Sequence, residues 1–246
     1  MAVRFPEIDM IKGVALVLMV IFHYFYMAHL LGRPIFNVGS GLLRLMAVVA
    51  HNIFIFMVGV NMTLSYSRAK DKNAFIGKQF KRALLILAFG MIMTAVTYVV
   101  FPDKFIRFGI FHFIAAAIMM SLLFIDNKYY TGFGIVLFGL LNYIISYYQS
   151  NFAGICDTNR LTCFVLGIYN VNYAAIDHFA FIPFFLKVLL GMGFGQVVYK
   201  NGIRPMNTMF DYAYTNSGAM KTLGYLGKQS LNIYLVHWVI IYYLLA

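Results

Sequence analysis

Histidines are the side chains of this sequence best suited to acid–base chemistry, and most of them lie inside long apolar runs. His23, His112 and His237 each fall within such a run, and His29 follows His23 toward the end of the first run. Histidine changes charge near neutral pH and therefore serves as a general base, a nucleophile or a proton carrier. Ionisable groups in an apolar medium are costly, so these positions are candidate functional sites.

An acidic residue, Asp177, is a candidate alongside these histidines. It directly precedes His178 at the start of another apolar run. The candidate catalytic residues are thus His23, His29, His112, Asp177 and His237. The sequence has no H-x-x-x-H or H-x-x-E pair, so we expect no metal site. The spacing also allows a haem held between two histidines, such as His23 and His51.

The elements that must position these residues are membrane-spanning helices. Hydrophobic residues make up 62% of the 246 positions and charged residues only 11%, against about 25% charged in a soluble domain. A helix needs roughly 20 apolar residues to cross a bilayer. The runs predict an all-α transmembrane bundle of about seven spans, at residues 11–31, 45–66, 83–101, 108–125, 131–149, 179–199 and 229–246.

Lysine and arginine set the orientation of these spans. With a cytoplasmic N-terminus, the inner segments contain more than twice as many Lys and Arg residues as the outer ones, which is the expected bias. His23 then lies eleven residues past Lys12, about 16 Å deeper in the membrane. His237, nine residues past Lys228, is predicted at a similar depth. The other histidines fall toward the outer side.

Three further features each have two interpretations, and only that of the cysteines stays open. Cys156 and Cys163 lie in a predicted outer loop and either form a disulfide or stay as free thiols. The net charge of +11 is explained by orientation and contact with lipid, so no nucleic-acid partner is expected. The segment 191–195 contains three alternating glycines and is interpreted as helix packing rather than as a phosphate loop.

Five ordered motifs resemble the catalytic domain of heparan-alpha-glucosaminide N-acetyltransferases and their compact bacterial relatives, and more distantly other membrane acyltransferases. They are RFPEIDMIKG at residues 4–13 with His23 after it, FIFMVG at 54–59, FGIFH at 108–112, DHFAFIPF at 177–184 and LGKQSLNIYLVH at 226–237. The resemblance covers nearly the whole chain and implies one transmembrane acyltransferase-like domain over residues 1–246.

The resemblance also implies a reaction. An acyl group, acetyl by expectation, would pass from cytoplasmic acetyl-CoA to a sugar, glycolipid or cell-envelope acceptor at the outer face of the cytoplasmic membrane. His23 would act as general base or acyl carrier, with His29 as the competing residue. Asp177, His112 and His237 would orient it or polarise the carbonyl. The CoA phosphates would be met by Arg4, Lys12, Lys78, Arg82 and Lys228.

Two other functions use the same residues. A proton-coupled transporter would employ the intramembrane histidines as a proton relay, and a b-type cytochrome would use two of them to bind haem. The sequence is compatible with an oligomer and does not specify one.

Overall fold

The computed structural model describes residues 5–148, 166–168, 175–205 and 208–246. Arg4, Cys156 and Cys163 lie outside these described residues, so the predictions made for them stay predictions. The described part of the chain is helical and contains no strand, which confirms the predicted all-α fold. The helices are α1 Pro6–Leu30, α2 Gly41–Ser67, α3 Lys72–Val100, α4 Ile110–Ser121, α5 Lys128–Tyr147, α6 Phe181–Val198, α7 Thr208–Asn216, α8 Gly218–Lys228 and α9 Ser230–Leu245.

Five of the described helices, α1, α2, α3, α5 and α6, are long and apolar enough to cross a membrane. The chain is therefore a multi-pass membrane protein. The other two predicted spans correspond to α4 and α9, which are apolar but have 12 and 16 residues. At 1.5 Å per residue they reach about 18 and 24 Å, less than the roughly 30 Å of a hydrocarbon core. The number of spans and their orientation stay predictions.

Helix starts follow local sequence chemistry. Pro6 occupies the first turn of α1, where its missing N–H costs nothing. The Asp71 carboxylate caps α3 by accepting hydrogen bonds from the backbone N–H groups of Asn73 and Ala74. The segment between α3 and α4 is also held by a side chain, because Thr94 Oγ1 of α3 donates a hydrogen bond to the Ile106 carbonyl oxygen at 2.7 Å.

The chain forms two compact units. The terminal unit consists of Met1–Met57 and Arg204–Ala246, and the central unit consists of Val58–Ile203. The terminal unit thus contains α1, α7, α8, α9 and the first part of α2. The rest of α2 and the helices α3 to α6 belong to the central unit.

In the terminal unit, α8 and α9 follow α1 in parallel. Asp9 of α1 meets Gly227 of α8, and farther along Arg33 donates to the carbonyl oxygen of Leu245 at 2.8 Å. Gly13 and Gly227 make the crossing of α1 and α8 possible, because a Cβ at either position would overlap backbone atoms of the other helix. Beyond the crossing, a hydrophobic core forms around Leu16, Met19 and Ala50, with Phe54, Leu226, Ile233 and Tyr234 packed on it.

In the central unit, α2 and α6 also touch backbone to backbone. A Cβ at Gly59 would overlap the Val188 carbonyl oxygen of α6, and Thr63 Oγ1 donates to the carbonyl oxygen of Met192 at 3.1 Å. Gly195 faces Thr63. The glycines of segment 191–195 therefore pack against neighbouring helices, which confirms that interpretation over a phosphate loop.

Candidate functional site

One face of α1 packs toward the interior of the terminal unit, and it has polar residues at its ends and apolar residues in its middle. Asp9, Leu16 and Met19 are buried on this face, and Lys12 and His23 are partly buried. The residues are three or four apart, as a helix requires for a single face. His23 thus points inward because its position in the repeat is that of Leu16 and Met19.

His23 meets His237 of α9, and this pair is the centre of the candidate site. His23 Nδ1 lies 2.8 Å from His237 Nε2, which is hydrogen-bonding distance. The two ring centroids are 5.0 Å apart with an angle of 23° between the ring planes. His237 as a whole residue is only 4% exposed. Two histidines that are 214 residues apart in the chain therefore share one proton position.

The pair of His23 and His237 is surrounded by aromatic rings and a backbone carbonyl group. His237 Nδ1 lies 2.7 Å from the Tyr234 carbonyl oxygen, one turn earlier in α9. The rings of Trp238, Phe22 and Tyr234 lie 5.2, 5.7 and 6.4 Å from the His23 ring. Such neighbours exclude water from around the imidazoles, and electrostatic interactions are stronger where water is excluded.

His29 is not brought to this pair. It lies exposed in the last turn of α1, and the step of six positions from His23 to His29 rotates the side-chain direction by about 240°. The two residues that were alternatives in the sequence therefore have different environments, and only His23 contacts a second histidine in the described structure.

His112 and Asp177 lie together in the central unit, at the start of α4. Asp177 Oδ2 accepts a hydrogen bond of 2.8 Å from the Ile110 N–H, so a carboxylate lies at the positive end of the helix. Burial raises the pKa of Asp177 to about 6, against a smaller lowering by the Ile110 N–H. His112, in the first turn, is 6% exposed and has its Nε2 3.4 Å from Thr94 Oγ1.

Backbone hydrogen bonds between residues 104–108 and residues 176–179 hold Asp177 in place. The Ile176 N–H donates to the Lys104 carbonyl oxygen at 2.7 Å, and the Phe179 N–H donates to that of Phe108 at 3.0 Å. His178 lies between these bonds, opposite Phe108 in an isolated β-bridge. Burial lowers the pKa of His178 to about 4, so this side chain is neutral at physiological pH.

The predicted phosphate-binding cations have varied environments. Lys12 forms an ion pair with Asp9 at 2.7 Å and is partly buried. Lys78 and Arg82 are exposed one helical turn apart on α3, and Lys228 is exposed at the end of α8. Lys12 therefore already has a carboxylate partner, whereas the three others present their side chains at the surface.

A cluster of three charged residues at the start of α1, formed by Glu7, Arg204 and Asp211, was not predicted from the sequence. Arg204 Nε lies 2.9 Å from a Glu7 carboxylate oxygen, and its Nη1 lies 2.5 Å from Asp211 Oδ1 of α7. Glu7 is the second residue of α1, where an acidic side chain is favourable, but no local pattern relates it to a residue 197 positions away. The described residues contain no cluster of three or more His, Cys, Asp or Glu side chains able to bind a metal.

Comparison with known proteins decides the family. Residues 4–239 match the family described as heparan-alpha-glucosaminide N-acetyltransferase, catalytic. The chain belongs to this family. The match extends over nearly the whole sequence and confirms the resemblance carried by the five motifs. It places the chain among transmembrane acetyltransferases. No curated protein and no solved structure matches the chain.

Proposed function

We propose that the protein is a membrane acyltransferase that moves an acetyl group from acetyl-CoA to a hydroxyl or amine, with His23 as the reacting side chain. The observation that carries this assignment is the hydrogen-bonded pair of His23 and His237. Family membership gives the reaction class. The pair supplies a water-poor imidazole, which acyl transfer requires as a general base or as a transient acyl carrier.

The donor and the acceptor reach the protein from opposite sides in this proposal. With the N-terminus in the cytoplasm, the exposed cations Lys78, Arg82 and Lys228 face the compartment that contains acetyl-CoA. They attract its phosphates by charge, as do Arg4 and Lys12. The acceptor, a sugar, a glycolipid or a cell-envelope component, approaches from the outer face of the cytoplasmic membrane. Both units act as one acyltransferase domain, because the family match runs through both.

The proposed step uses His23 for both proton transfers. An acceptor hydroxyl or amine gives its proton to a nitrogen of His23 while its oxygen or nitrogen attacks the thioester carbonyl carbon. The C–S bond then breaks, the acetyl group stays on the acceptor, and the CoA sulfur takes the proton from His23 and leaves as the thiol. In the acyl-carrier variant, a nitrogen of His23 attacks the carbonyl carbon first, and the C–S bond breaks as CoA leaves. The acceptor then attacks the acetyl carbon, the C–N bond to His23 breaks, and the acceptor's proton returns to the imidazole.

Release of free CoA from acetyl-CoA by the purified protein in lipid nanodiscs tests this proposal. Amino sugars and lipid-linked sugars serve as acceptors, and labelled acetyl groups are followed on acceptor and protein. We expect His23→Ala to lower the rate by about 100-fold or more, as for loss of a general base. Val236→Ala, a change at an exposed neighbour of His237, is the control that keeps the rate.

Three results would contradict the proposal. A His23→Ala protein with the wild-type rate would exclude His23, and loss of activity in His29→Ala alone would assign the reaction to the competing residue. A wild-type protein that releases no CoA with any acceptor, but takes up solute into liposomes along a proton gradient, would favour the transporter.

A further inference from the structure

We infer that His237 is a positioning residue that fixes the tautomer of His23, so that Nε2 of His23 is the atom that takes the proton or the acetyl group. The inference rests on the proposed function for the chemistry at Nε2. The tautomer itself follows from two hydrogen bonds in the terminal unit and does not depend on any substrate.

The Tyr234 carbonyl oxygen determines which nitrogen of His237 carries the proton. A carbonyl oxygen only accepts hydrogen bonds. Because His237 Nδ1 lies 2.7 Å from this oxygen, the proton of a neutral His237 is on Nδ1. A neutral imidazole has one N–H, and its other nitrogen carries a lone pair. His237 Nε2 is therefore an acceptor.

The His237 ring in turn determines which nitrogen of His23 carries the proton. His237 Nε2 lies 2.8 Å from His23 Nδ1, and an acceptor at this distance requires a donor opposite it. His23 thus carries its proton on Nδ1 and its lone pair on Nε2. The opposite tautomer of His23 would place two lone pairs 2.8 Å apart in a buried site, where an unmade hydrogen bond costs the most. The hydrogen bonds run from His23 through His237 to the Tyr234 carbonyl.

This arrangement has a consequence for the reaction. When His23 Nε2 takes the acceptor proton, the positive charge is shared, because the Nδ1 proton of His23 can move to His237 Nε2. His237 then holds two N–H groups, one toward His23 and one toward Tyr234, and returns the proton as the CoA sulfur is protonated. If His23 carries the acetyl group instead, the C–N bond forms at Nε2 and the Nδ1 proton passes to His237 as CoA leaves as thiolate.

Nitrogen NMR of the pair tests the tautomer without any acyl donor. The protein is labelled with ¹⁵N-histidine, and His23→Ala and His237→Leu spectra assign the two rings among six histidines. We expect His23 to show a protonated Nδ1 and an unprotonated Nε2, with scalar coupling across the hydrogen bond to His237 Nε2. A protonated Nε2 on neutral His23 would overturn the inference. This result stands whether or not the protein releases CoA.

Matched variants of His237 test the positioning role in catalysis. Gln is the conservative replacement, because its amide oxygen can accept from His23 Nδ1–H, whereas Leu offers no acceptor. We expect His237→Leu to lower kcat by at least tenfold with little change in KM, and His237→Gln to restore most of kcat. In His237→Leu, the His23 spectrum should show a mixture of tautomers.

Two outcomes would contradict this role. Equal kcat values in the Leu and Gln variants, with both proteins folded and the Leu spectrum unchanged, would show that His237 does not position His23. Inactivity of the wild-type protein with every donor and acceptor would remove the proposed function and leave the tautomer measurement to be judged by itself.

Discussion

Asp177 is a residue whose position in the structure gives it an unusual proton affinity. Burial raises its pKa to about 6 from 3.8, although the Ile110 N–H favours the ionised form. Between these two pH values the folded protein binds a proton at Asp177 that the unfolded chain has lost. This residue therefore contributes stability at low pH that disappears as pH rises through about 6.

Asp177→Asn tests this pH dependence, since the amide oxygen still accepts from Ile110 but carries no charge. We expect the variant to melt higher than the wild type at pH 7.5 and the difference to shrink as pH falls to 5. Thermal unfolding in one detergent across this range measures it. A difference in Tm that does not change with pH would show that Asp177 does not titrate between pH 5 and 7.5 in the folded protein.

Arg204 is a second residue with a specific expected effect, because it pairs with two carboxylates from different helices. Replacing Arg204 by Met leaves Glu7 and Asp211 without this guanidinium. We expect a loss of about 1–3 kcal/mol in the free energy of unfolding, typical for hydrogen bonds to charged groups. The double variant Glu7→Gln with Arg204→Met should recover part of the loss. If it is no more stable than Arg204→Met, the pair is not the cause.

The elements themselves were largely predictable from sequence, and their partners were not. Apolar runs predicted the helices. The spacing of His23 from Lys12 and of His237 from Lys228 predicted similar depths for the two histidines. No local signal indicated that α9 is the helix beside α1, because the choice of neighbour depends on packing between distant segments. The same reason hid Arg204.

The crossing of α1 and α8 is the element-level contact most sensitive to a small change. A methyl group at Gly13 would overlap the Leu223 carbonyl, whereas one at Gly132 of α5 meets open space. We expect Gly13→Ala to lower Tm and to reduce acyltransfer by displacing α1. Gly132→Ala, the matched control, should be neutral or slightly stabilising through higher helix propensity. Equal Tm values for both variants would show that α1 and α8 do not approach this closely.

At the scale of the whole molecule, the parallel course of α1 and α9 bears on topology. If both cross the membrane, they cross in the same direction, so the number of crossings from α1 through α9 is odd. Among the described residues, the five membrane-length helices together with α4 and α9 give such a number. The positive charges then decide the direction.

Labelling of single cysteines in intact cells measures this direction. In a background in which Cys156 and Cys163 are serine, Asn37→Cys lies between α1 and α2, and Lys70→Cys lies between α2 and α3. Both positions are exposed. We expect a membrane-impermeant maleimide to label Asn37→Cys in intact cells and Lys70→Cys only after permeabilisation. The reverse pattern would place the N-terminus outside.

The pairing of His23 with His237 also sets the order in which the enzyme becomes competent during its synthesis. The ribosome delivers α1 first, but the partner imidazole follows only 214 residues later. At roughly 5–20 residues per second, α1 waits in the membrane for at least about ten seconds. Until α8 and α9 arrive, His23 has no neighbour to hold its proton in place. If the proposed function holds, we expect a chain interrupted before that point to lack the activity that depends on the pairing of His23 with His237.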